Sequence, residues 1–324
     1  MKLTVYVTGC LGFIGAYVTE ACLKQGWHVI GVDKITYAAQ PDRLHDFETY
    51  GPNQFKFVQA DINDLDRLYD CDYVINTAAE THVDNSIVSS KEFLHSNVNG
   101  VHRLLELVRS KERFKMPTLL HFSTDEVYGD ITEGAHSETH LLRPSNPYSA
   151  TKAAADMLIL AWGRTFKVPY VIVRPTNNYG VGQYTEKLIP KVCKCLHLGK
   201  KVPLHNHGTP KRTWLHAKDT AAAIIAIIHS EQQNQIFNIG GNVELPNLEV
   251  VKKIIAVWRT NGQVGGYKLS DIDAYCDFTY HRDGQDVRYS LDDSILRALG
   301  WDNKCDFDKE LPTIVTHYRN KFVW

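Results

Sequence analysis

Two adjacent carboxylates, Asp125 and Glu126, are the residues of this chain that point most directly to chemistry. They follow the apolar run 119–122, which is typical of a buried strand, so we expect them where a strand ends and a loop begins. Open α/β sheets bind their ligands at that edge. Neighbouring carboxylates there can hold different protonation states, so that one serves as an acid and the other as a base. The pair therefore predicts a reaction that removes a proton and expels water, which a simple dehydrogenase does not need.

A second pair, Tyr148 and Lys152, lies four residues apart and therefore on one face of a predicted helix. A cation beside a phenol stabilises the phenolate, so we expect Lys152 to lower the pKa of Tyr148 from about 10 towards neutrality. Such a tyrosine can accept the proton of a sugar hydroxyl while hydride leaves the same carbon for a nicotinamide. Thr124 is predicted to orient the substrate or the phenol, whereas strand alternation turns Ser123 the other way.

A glycine-rich turn near the start of the chain predicts the cofactor for this oxidation. Gly9, Gly12 and Gly15 are spaced three and three between a predicted strand and a predicted helix. Glycine lets the backbone approach a pyrophosphate, and the free amides of the helix N-terminus face that anion. Asp33 ends the second strand, where a carboxylate binds ribose hydroxyls and favours NAD over NADP, although the adjoining Lys34 weakens that preference. The other residues predicted to bind the cofactor are Phe13, Ile14, Lys34, Asp61, Ile62, Ala78, Ala79, Tyr148 and Lys152.

Alternating strands and helices must position these groups. Strands are predicted at residues 3–7, 28–32, 55–58, 73–76, 118–122, 170–173 and 235–239, and helices at 13–25, 91–110 and 149–165. This alternation predicts an α/β fold with a Rossmann-type, doubly wound parallel sheet. We expect residues 1–175 to form the NAD-binding domain, with return segments near 210–240. Residues 176–324 are expected to form a smaller, discontinuous C-terminal substrate lobe.

Composition and charge exclude several classes of protein. The 324 residues carry a formal net charge of -1 with a pI near 6.9, which gives no electrostatic reason to bind nucleic acid or a membrane. Seven cysteines spread from Cys10 to Cys305 fit a reducing cytoplasm. No apolar stretch reaches the roughly 18 residues of a membrane span, and no signal peptide is evident. The histidines and cysteines lack the spacing of metal ligands, so we expect a cytoplasmic protein without a metal.

With these motifs in place, the chain resembles the nucleotide-sugar 4,6-dehydratases of the extended short-chain dehydrogenase/reductase family. The resemblance covers essentially the whole chain and is carried by residues 33–38, 79–86, 124–129, 146–152, 177–180 and 186–190. It implies a UDP- or dTDP-glucose substrate and a tightly held NAD that is reduced and reoxidised in each turnover. It also implies a homodimer packed through helices near 91–110 and 149–165, and a step towards a rhamnose-type deoxysugar.

The resemblance implies a role for each catalytic residue. Tyr148 would take the proton of the C4 hydroxyl during oxidation, and the resulting ketone makes the C5 proton acidic. Glu126 would remove that proton while a protonated Asp125 donates to the departing C6 hydroxyl. Hydride would then return to C6, so that the product is a 4-keto-6-deoxy sugar nucleotide and the net redox change is zero.

The residues that match the family's substrate site come from several segments. They are His82, Val83, Asp84, Thr124, Asp125, Glu126, Arg174, Asn178, Glu186, Lys187, Leu188, Arg212, Arg282 and Asp286. An arginine fork suits a diphosphate because it forms paired, charged hydrogen bonds.

Three departures from the family's pattern leave the nucleotide open between UDP and dTDP. Thr213 stands where bacterial dTDP-type enzymes usually carry aspartate, and plant-type UDP-glucose enzymes have a small hydroxyl residue there. Asp283 and Gln285 replace a common proline and histidine, and residues 204–208 differ from the usual Gly-Asp-Gly loop. On these residues the prediction favours UDP-glucose.

Two alternatives share part of this pattern. A UDP-sugar 4-epimerase uses the cofactor turn, Tyr148 and Lys152, but it needs no acid and base for elimination. A non-catalytic NAD-binding regulator could use the same fold, since fold does not determine function. Such a regulator typically loses the tyrosine or the lysine, and this chain keeps both.

Overall fold

Seven parallel strands form the central sheet of the computed structural model, which describes residues 2–260, 272–282 and 285–321. Within these residues the strands are β1 Thr4–Thr8, β2 His28–Asp33, β3 Phe55–Gln59, β4 Tyr73–Asn76, β5 Thr118–Phe122, β6 Tyr170–Pro175, β7 Asn177–Tyr179, β8 Val202–Pro203, β9 Lys211–His216, β10 Gln235–Ile239, β11 Val243–Pro246 and β12 Cys276–Asp277. The α-helices are α1 Phe13–Lys24, α2 Asp42–Glu48, α3 Val83–Val88, α4 Lys91–Phe93, α5 Gly100–Arg109, α6 Pro147–Phe166, α7 Leu188–His197, α8 Ala217–His229, α9 Asn247–Arg259, α10 Ile272–Tyr275, α11 Ser294–Arg297 and α12 Phe307–Asn320. A π-helix, Leu94–Asn99, joins α4 to α5, and short 3-10 helices occupy Ile62–Asp64, Arg113–Lys115, Asp125–Tyr128 and His205–Gly208. None of the described helices is long and apolar enough to cross a membrane.

The order of the strands confirms the predicted doubly wound sheet. Across the sheet the strands run β10-β6-β5-β4-β1-β2-β3, and every neighbouring pair is parallel. The chain moves outward from β1 in one direction and then returns to continue from β4 in the other. This reversal creates a crevice between β1 and β4 at the carboxyl ends of the strands, where such sheets bind ligands.

Helices cover both faces of this sheet, as the continuous apolar runs of its strands require. Successive side chains of a strand point to opposite faces, so β1 sends Val5 and Val7 into one core and Tyr6 into the other. The first core is closed by α1 and α8, and the second by α5 and α6. The rigid, doubly packed sheet holds the residues at its carboxyl edge in fixed positions.

A smaller lobe is built mainly from the C-terminal half of the chain. Its three-stranded sheet has the order β11-β9-β7, and α7, α9 and α12 share an apolar core with it. Between these elements the chain returns to the large sheet, where α8 packs on α1 and β10 pairs with β6. The strand predicted at residues 235–239 is therefore confirmed. The return to the large sheet begins with α8 at Ala217, since β9 pairs with β7 and β11 of the smaller lobe.

Candidate active site

A cavity of about 290 Å³ runs along the carboxyl ends of the central strands. It brings together residues that the sequence analysis assigned separately to cofactor, catalysis and substrate. The predicted residues that line it are Gly9, Gly12, Phe13, Ile14, Gly15, Asp33, Lys34, Asp61, Ile62, Ala78, Ala79, Thr124, Asp125, Glu126, Tyr148, Asn178, Glu186 and Lys187. All predicted cofactor residues except Lys152 thus lie around one space, next to the carboxylate pair.

The glycine turn offers an uncapped helix N-terminus to this cavity. Gly9 has a φ of +71°, and a Cβ there would lie 2.7 Å from the backbone nitrogen of Ala78, so a larger residue is excluded by the protein itself. Gly12 precedes α1, and no side chain caps the helix at this position. The free amides of the first turn of α1 therefore remain available to an anion. These features fit the pyrophosphate of a dinucleotide.

Asp33 and Lys34, which the sequence analysis assigned to the cofactor, line the cavity. The carboxylate of Asp33 accepts hydrogen bonds from the backbone nitrogens of Leu11, at 3.0 Å, and Ile35, at 2.8 Å. Burial raises the pKa of Asp33, and these two hydrogen bonds oppose that rise. The Nζ of Lys34 lies 3.3 Å from Oδ2 of Asp61. Because Lys34 is paired, it offers less attraction to a 2′-phosphate than its position in the sequence alone indicates.

The carboxylate pair begins a short 3-10 helix directly after β5. Thr124 Oγ1 accepts a hydrogen bond from the backbone nitrogen of Glu126 at 3.3 Å and donates to Oδ1 of Asp125 at 3.1 Å. Asp125 is only 3% exposed, and its Oδ2 has no hydrogen-bond partner among the described residues. Burial, followed by the negative charge of Glu126, raises the pKa of Asp125 to about 7. Asp125 can therefore carry a proton near neutral pH, as a general acid must.

Glu126 faces positive charges that favour its ionised form. Burial raises its pKa, while the cationic side chains of Arg212 and Lys187 lower it. The Nδ2 of Asn146 lies 3.5 Å from one of its carboxylate oxygens. The two adjacent carboxylates thus have different surroundings, with a polar, cation-facing site for Glu126. This difference fits a base beside an acid.

Tyr148 lies at the start of α6, which is anchored by a capping box. Asn146 accepts a hydrogen bond from the backbone nitrogen of Ser149 at 2.9 Å, and Pro147 occupies the first turn. Burial raises the pKa of Tyr148, and the charges of Glu126 and Asp125 raise it further. A hydrogen bond with Thr124 is the opposing influence.

The net pKa of Tyr148 in this structure is therefore raised, and the stabilising effect of Lys152 on the phenolate stays a prediction. The Nζ of Lys152 donates to the carbonyl oxygen of Phe122 at 2.5 Å and lies 3.3 Å from Nε2 of His121. These partners hold the ammonium group, and burial lowers the pKa of Lys152 to about 8. The hydroxyl of Ser123 donates to Asp156 at 3.0 Å, apart from the carboxylate pair, although Ser123 also lines the cavity.

Three of the predicted substrate residues from the C-terminal half of the chain line the cavity. Asn178 is held by Thr220, whose hydroxyl donates to its Oδ1 at 2.5 Å. The Nζ of Lys187 donates to the carbonyl oxygen of Thr81 at 2.7 Å and lies 3.6 Å from Glu186. Lys187 thereby joins the smaller lobe to the loop that follows β4.

A second group of predicted substrate residues lies outside the cavity lining. Arg282 Nε lies 2.6 Å from Oδ1 of Asp84, and Arg282 NH2 donates to Oδ2 at 2.9 Å. Arg212 lies over the ring of Tyr289 at 4.6 Å and donates to the backbone oxygen of Asp286 at 3.1 Å. The carboxylate of Asp286 in turn accepts a hydrogen bond from Tyr289. These arginines already have partners in the protein, which a diphosphate would have to replace.

Three other predicted substrate residues lie at the starts of helices. His82 caps α3 by accepting from the backbone nitrogen of Asn85 at 3.4 Å, and Val83 is the first residue of that helix. Leu188 is the first residue of α7 and packs on the apolar core of the smaller lobe. Asp283, which stands where the family commonly has proline, lies outside the described residues.

Arg174 is not in the cavity, in contrast to its predicted place near the sugar. It is 1% exposed, and its guanidinium pairs with the carboxylate of Asp156 at 3.0 Å. Its NH1 also donates to the hydroxyl of Tyr128 at 2.7 Å. Because the smaller lobe lies beyond the strand end, the side chain of a residue inside β6 packs between sheet and helix instead.

Sequence reasoning missed the contact that spans the cavity between the two halves of the chain. The hydroxyl of Tyr37 donates to Glu186 at 3.1 Å, and Gln40 donates to the carbonyl oxygen of Gly182 at 2.5 Å. Tyr37 also packs edge-on against Tyr184 with ring centroids 5.1 Å apart. Tyr37 lies in a motif that carries the family resemblance, but no local pattern pairs it with a residue 149 positions away.

Comparisons with known proteins match almost the whole chain to nucleotide-sugar 4,6-dehydratases. Residues 6–313 match the family model described as GDP-mannose 4,6 dehydratase. The dTDP-glucose 4,6-dehydratase of Haemophilus influenzae is 37% identical over 335 residues, which cover 98% of each chain. A trifunctional UDP-glucose 4,6-dehydratase, 3,5-epimerase and reductase of Arabidopsis thaliana is 33% identical over 99% of this chain and 48% of its own length. The crystal structure of DesIV, a dTDP-glucose 4,6-dehydratase from Streptomyces venezuelae with NAD bound, superposes with a TM-score of 0.89 at 33% identity, covering 98% of this chain and 97% of the other.

Proposed function

The chain belongs to the GDP-mannose 4,6-dehydratase family of extended short-chain dehydrogenases/reductases, and we propose that its substrate is UDP-glucose. It is an NAD-dependent nucleotide-sugar 4,6-dehydratase. The main support for this reaction is the Asp125–Glu126 pair, which lines the same cavity as Tyr148 and the glycine turn. The proposed product is the 4-keto-6-deoxy-glucose nucleotide, formed with loss of one water.

The side chains can divide the chemistry as follows. Tyr148 accepts the proton of the C4 hydroxyl, with Thr124 as its hydrogen-bond partner. Bound NAD supplies the hydride acceptor at C4 and the hydride donor at C6. Glu126 removes the C5 proton, which the C4 ketone has made acidic, and later returns a proton to C5. Asp125 gives its proton to the departing C6 hydroxyl, and its unpartnered Oδ2 is available for this contact.

The choice of UDP-glucose rests on Thr213, a neutral hydroxyl residue at the position where bacterial dTDP-type enzymes usually carry aspartate. Thr213 is 8% exposed, and its hydroxyl donates to the backbone oxygen of Tyr289 at 3.2 Å. It precedes Trp214 and follows Arg212 in β9, the strand that we propose to face the nucleotide. A neutral residue there imposes no charge on the base pocket.

The test is to incubate the purified protein separately with UDP-glucose and dTDP-glucose and to weigh the products. We expect loss of one water without net consumption of NAD, and faster conversion of the UDP-sugar. Faster conversion of dTDP-glucose would overturn the nucleotide assignment but leave the dehydration intact. An isomer of unchanged mass would indicate a 4-epimerase, and bound NAD without turnover of either sugar would indicate a non-catalytic regulator. Tyr148→Phe is the inactive control, because it keeps the ring and removes the proton acceptor.

We also propose a homodimer and a place in deoxysugar synthesis. Leu94, next to α4, and Met157, on α6, are each 49% exposed, so both predicted interface helices present apolar surface. Light scattering of the purified chain would test the dimer. The proposed keto sugar would then need a 3,5-epimerase and a reductase to become a rhamnose-type sugar, which a coupled assay with such enzymes can establish.

A further inference from the structure

A buried chain of polar side chains runs from the catalytic helix into the sheet. Nε2 of His121 lies 3.3 Å from Nζ of Lys152, and Nδ1 of His121 lies 3.0 Å from Nδ2 of Asn76. The hydroxyl of Thr8 donates to Oδ1 of Asn76 at 2.6 Å. Lys152 is 2% exposed, Asn76 is 1% exposed, and His121 and Thr8 are fully buried. Three neighbouring strands, β5, β4 and β1, thus each contribute one polar side chain behind Lys152.

Counting donors and acceptors shows that this chain can run in two directions. A charged Lys152 only donates, so Nε2 of a neutral His121 must accept, and the Nδ1–H then needs the amide oxygen of Asn76. The nitrogen of a neutral Lys152 can accept a hydrogen bond from Nε2–H, and Nδ1 then accepts a hydrogen bond from the amide NH2 of Asn76. A half-turn of the Asn76 amide exchanges the two arrangements, because the Thr8 hydroxyl can either donate or accept. Both charge states of Lys152 are therefore satisfied without any exposure to water.

The surroundings of Lys152 allow both its charged and its neutral form near neutral pH. Burial lowers the pKa of Lys152 to about 8, and the carboxylate of Asp156, one turn further along α6, opposes that change. His121 stays neutral, because burial and the charge of Lys152 hold its pKa well below the ordinary value. Towards the cavity, Tyr148 lies one helical turn before Lys152 on α6. The carboxylates of Asp125 and Glu126 lie beyond it and raise the pKa of its phenol. Phe122 and His121 take two of the three donors of the ammonium group, which leaves one for the side of Tyr148.

We propose that His121 and Asn76 are positioning residues for the oxidation step, which hold Lys152 in place in both its charged and its neutral form through a hydrogen-bond chain that reverses direction with its proton. The role rests on the proposed function, because it requires Tyr148 to act as the base of the oxidation step. His121 does not line the cavity, so in this proposal it acts only through Lys152. A purely structural histidine would affect folding but not the pH at which the oxidation becomes fast.

The experiment measures hydride transfer alone. In a Glu126→Gln background, where elimination is blocked, the holoenzyme is mixed rapidly with UDP-glucose or dTDP-glucose, and formation of bound NADH is followed across pH. His121→Leu removes the acceptor, so the rate is expected to fall by about 10- to 100-fold, the effect of one hydrogen bond to a charged group. The rising limb of the pH profile should move to higher pH. Without the acceptor, Lys152 carries less positive charge, and the phenolate of Tyr148 is then less stabilised. His121→Gln, whose amide can donate or accept at the place of Nε2, should restore most of the rate.

Asn76→Asp provides a shift of opposite sign. A carboxylate there fixes the proton on Nδ1 and keeps Nε2 as an acceptor, so it favours charged Lys152 and should move the limb to lower pH. Thr118→Val is the matched control. It removes a buried hydroxyl at the far end of β5, the strand that carries His121, and should leave the rate and the pH profile unchanged.

The outcomes separate the proposal from the function on which it rests. If the parent Glu126→Gln protein forms no NADH with either sugar, the oxidation step itself fails. If it does, a folded, NAD-bound His121→Leu variant within about twofold of the parent rate, with an unmoved limb, overturns the proposal. Equal losses of the hydride-transfer rate in His121→Gln and His121→Leu also overturn the proposal. Should His121→Leu not fold, Asn76→Asp decides, and an unmoved or alkaline-shifted limb in that variant overturns the proposal.

Discussion

Asp125 is a buried carboxylate whose protonation should control both stability and catalysis. Its pKa is raised from 3.8 to about 7, so the folded protein binds this proton more tightly than the unfolded chain does. Stability is therefore highest when the carboxyl is protonated, decreases as pH rises from about 4 to about 7, and stays reduced above that range. Asp125→Asn removes the titration and keeps the shape of the side chain, so its advantage over the native residue should grow with pH.

The size of this advantage follows from the change in pKa. A rise of the pKa from 3.8 to about 7 corresponds to roughly 4 kcal/mol once the group is fully charged. Because Asp125 is coupled to Glu126, we expect a gain on the order of 2 to 4 kcal/mol at about pH 8 and almost none at about pH 4. Dehydration should fall by about 10²- to 10⁴-fold, since the acid is lost, while C4 oxidation persists.

Urea unfolding of both proteins at several pH values, with NAD at the same concentration throughout, measures the difference in stability. Asp70→Asn is the control, because the exposed carboxylate of Asp70 has its pKa lowered by Lys111. That variant should show no gain that increases with pH. A difference between Asp125→Asn and the native protein that stays constant with pH, or that favours the native protein at high pH, would refute the argument that Asp125 is held as a buried acid.

The other predictions concern the base, the cofactor choice and the contact across the cavity. Glu126→Gln should stop elimination and let bound NADH accumulate on mixing with substrate, and turnover at the native rate would show that another group is the base. Asp61→Asn removes the partner of Lys34, so NADP binding should improve against NAD by about two- to fivefold in titrations, as loss of a partly exposed ion pair allows. Tyr37→Phe removes the hydrogen bond to Glu186, so NAD should dissociate about two- to tenfold faster in a chase experiment; an unchanged rate would show that this contact does not retain the cofactor.

Local patterns were sufficient for most of the fold. The strands Tyr73–Asn76, Thr118–Phe122 and Gln235–Ile239 have the predicted bounds, and the other four strands of the central sheet differ by one or two residues at one or both ends. Apolar runs of strand length and apolar spacing of helical period depend only on neighbours in the chain, so the sequence reveals them directly. The glycine turn and the carboxylate pair are equally local, and both lie where predicted along the cavity.

The errors arose where long-range packing determines the surroundings of a side chain. Residues 91–110 were predicted as one helix, but a π-helix interrupts them at Leu94–Asn99, where Asn97 bonds both Glu80 and Thr151. Arg174 suits a diphosphate by its chemistry, yet it pairs with Asp156 inside the fold. A residue type shows which partners are possible, and only the tertiary contacts decide which partner is present.

The sequence by itself determined the candidate groups: a glycine turn suited to a dinucleotide, a tyrosine proposed as the base of the oxidation and a carboxylate pair at a strand end, because each is encoded within a few consecutive residues. The tertiary structure decided their electrostatic state. Burial raises the pKa of Asp125, the carboxylates raise that of Tyr148, and His121 and Phe122 occupy Lys152. These effects depend on the loss of water and on distances between groups that folding brings together from different strands and helices, which is why spacing in the sequence could not give their sign or size.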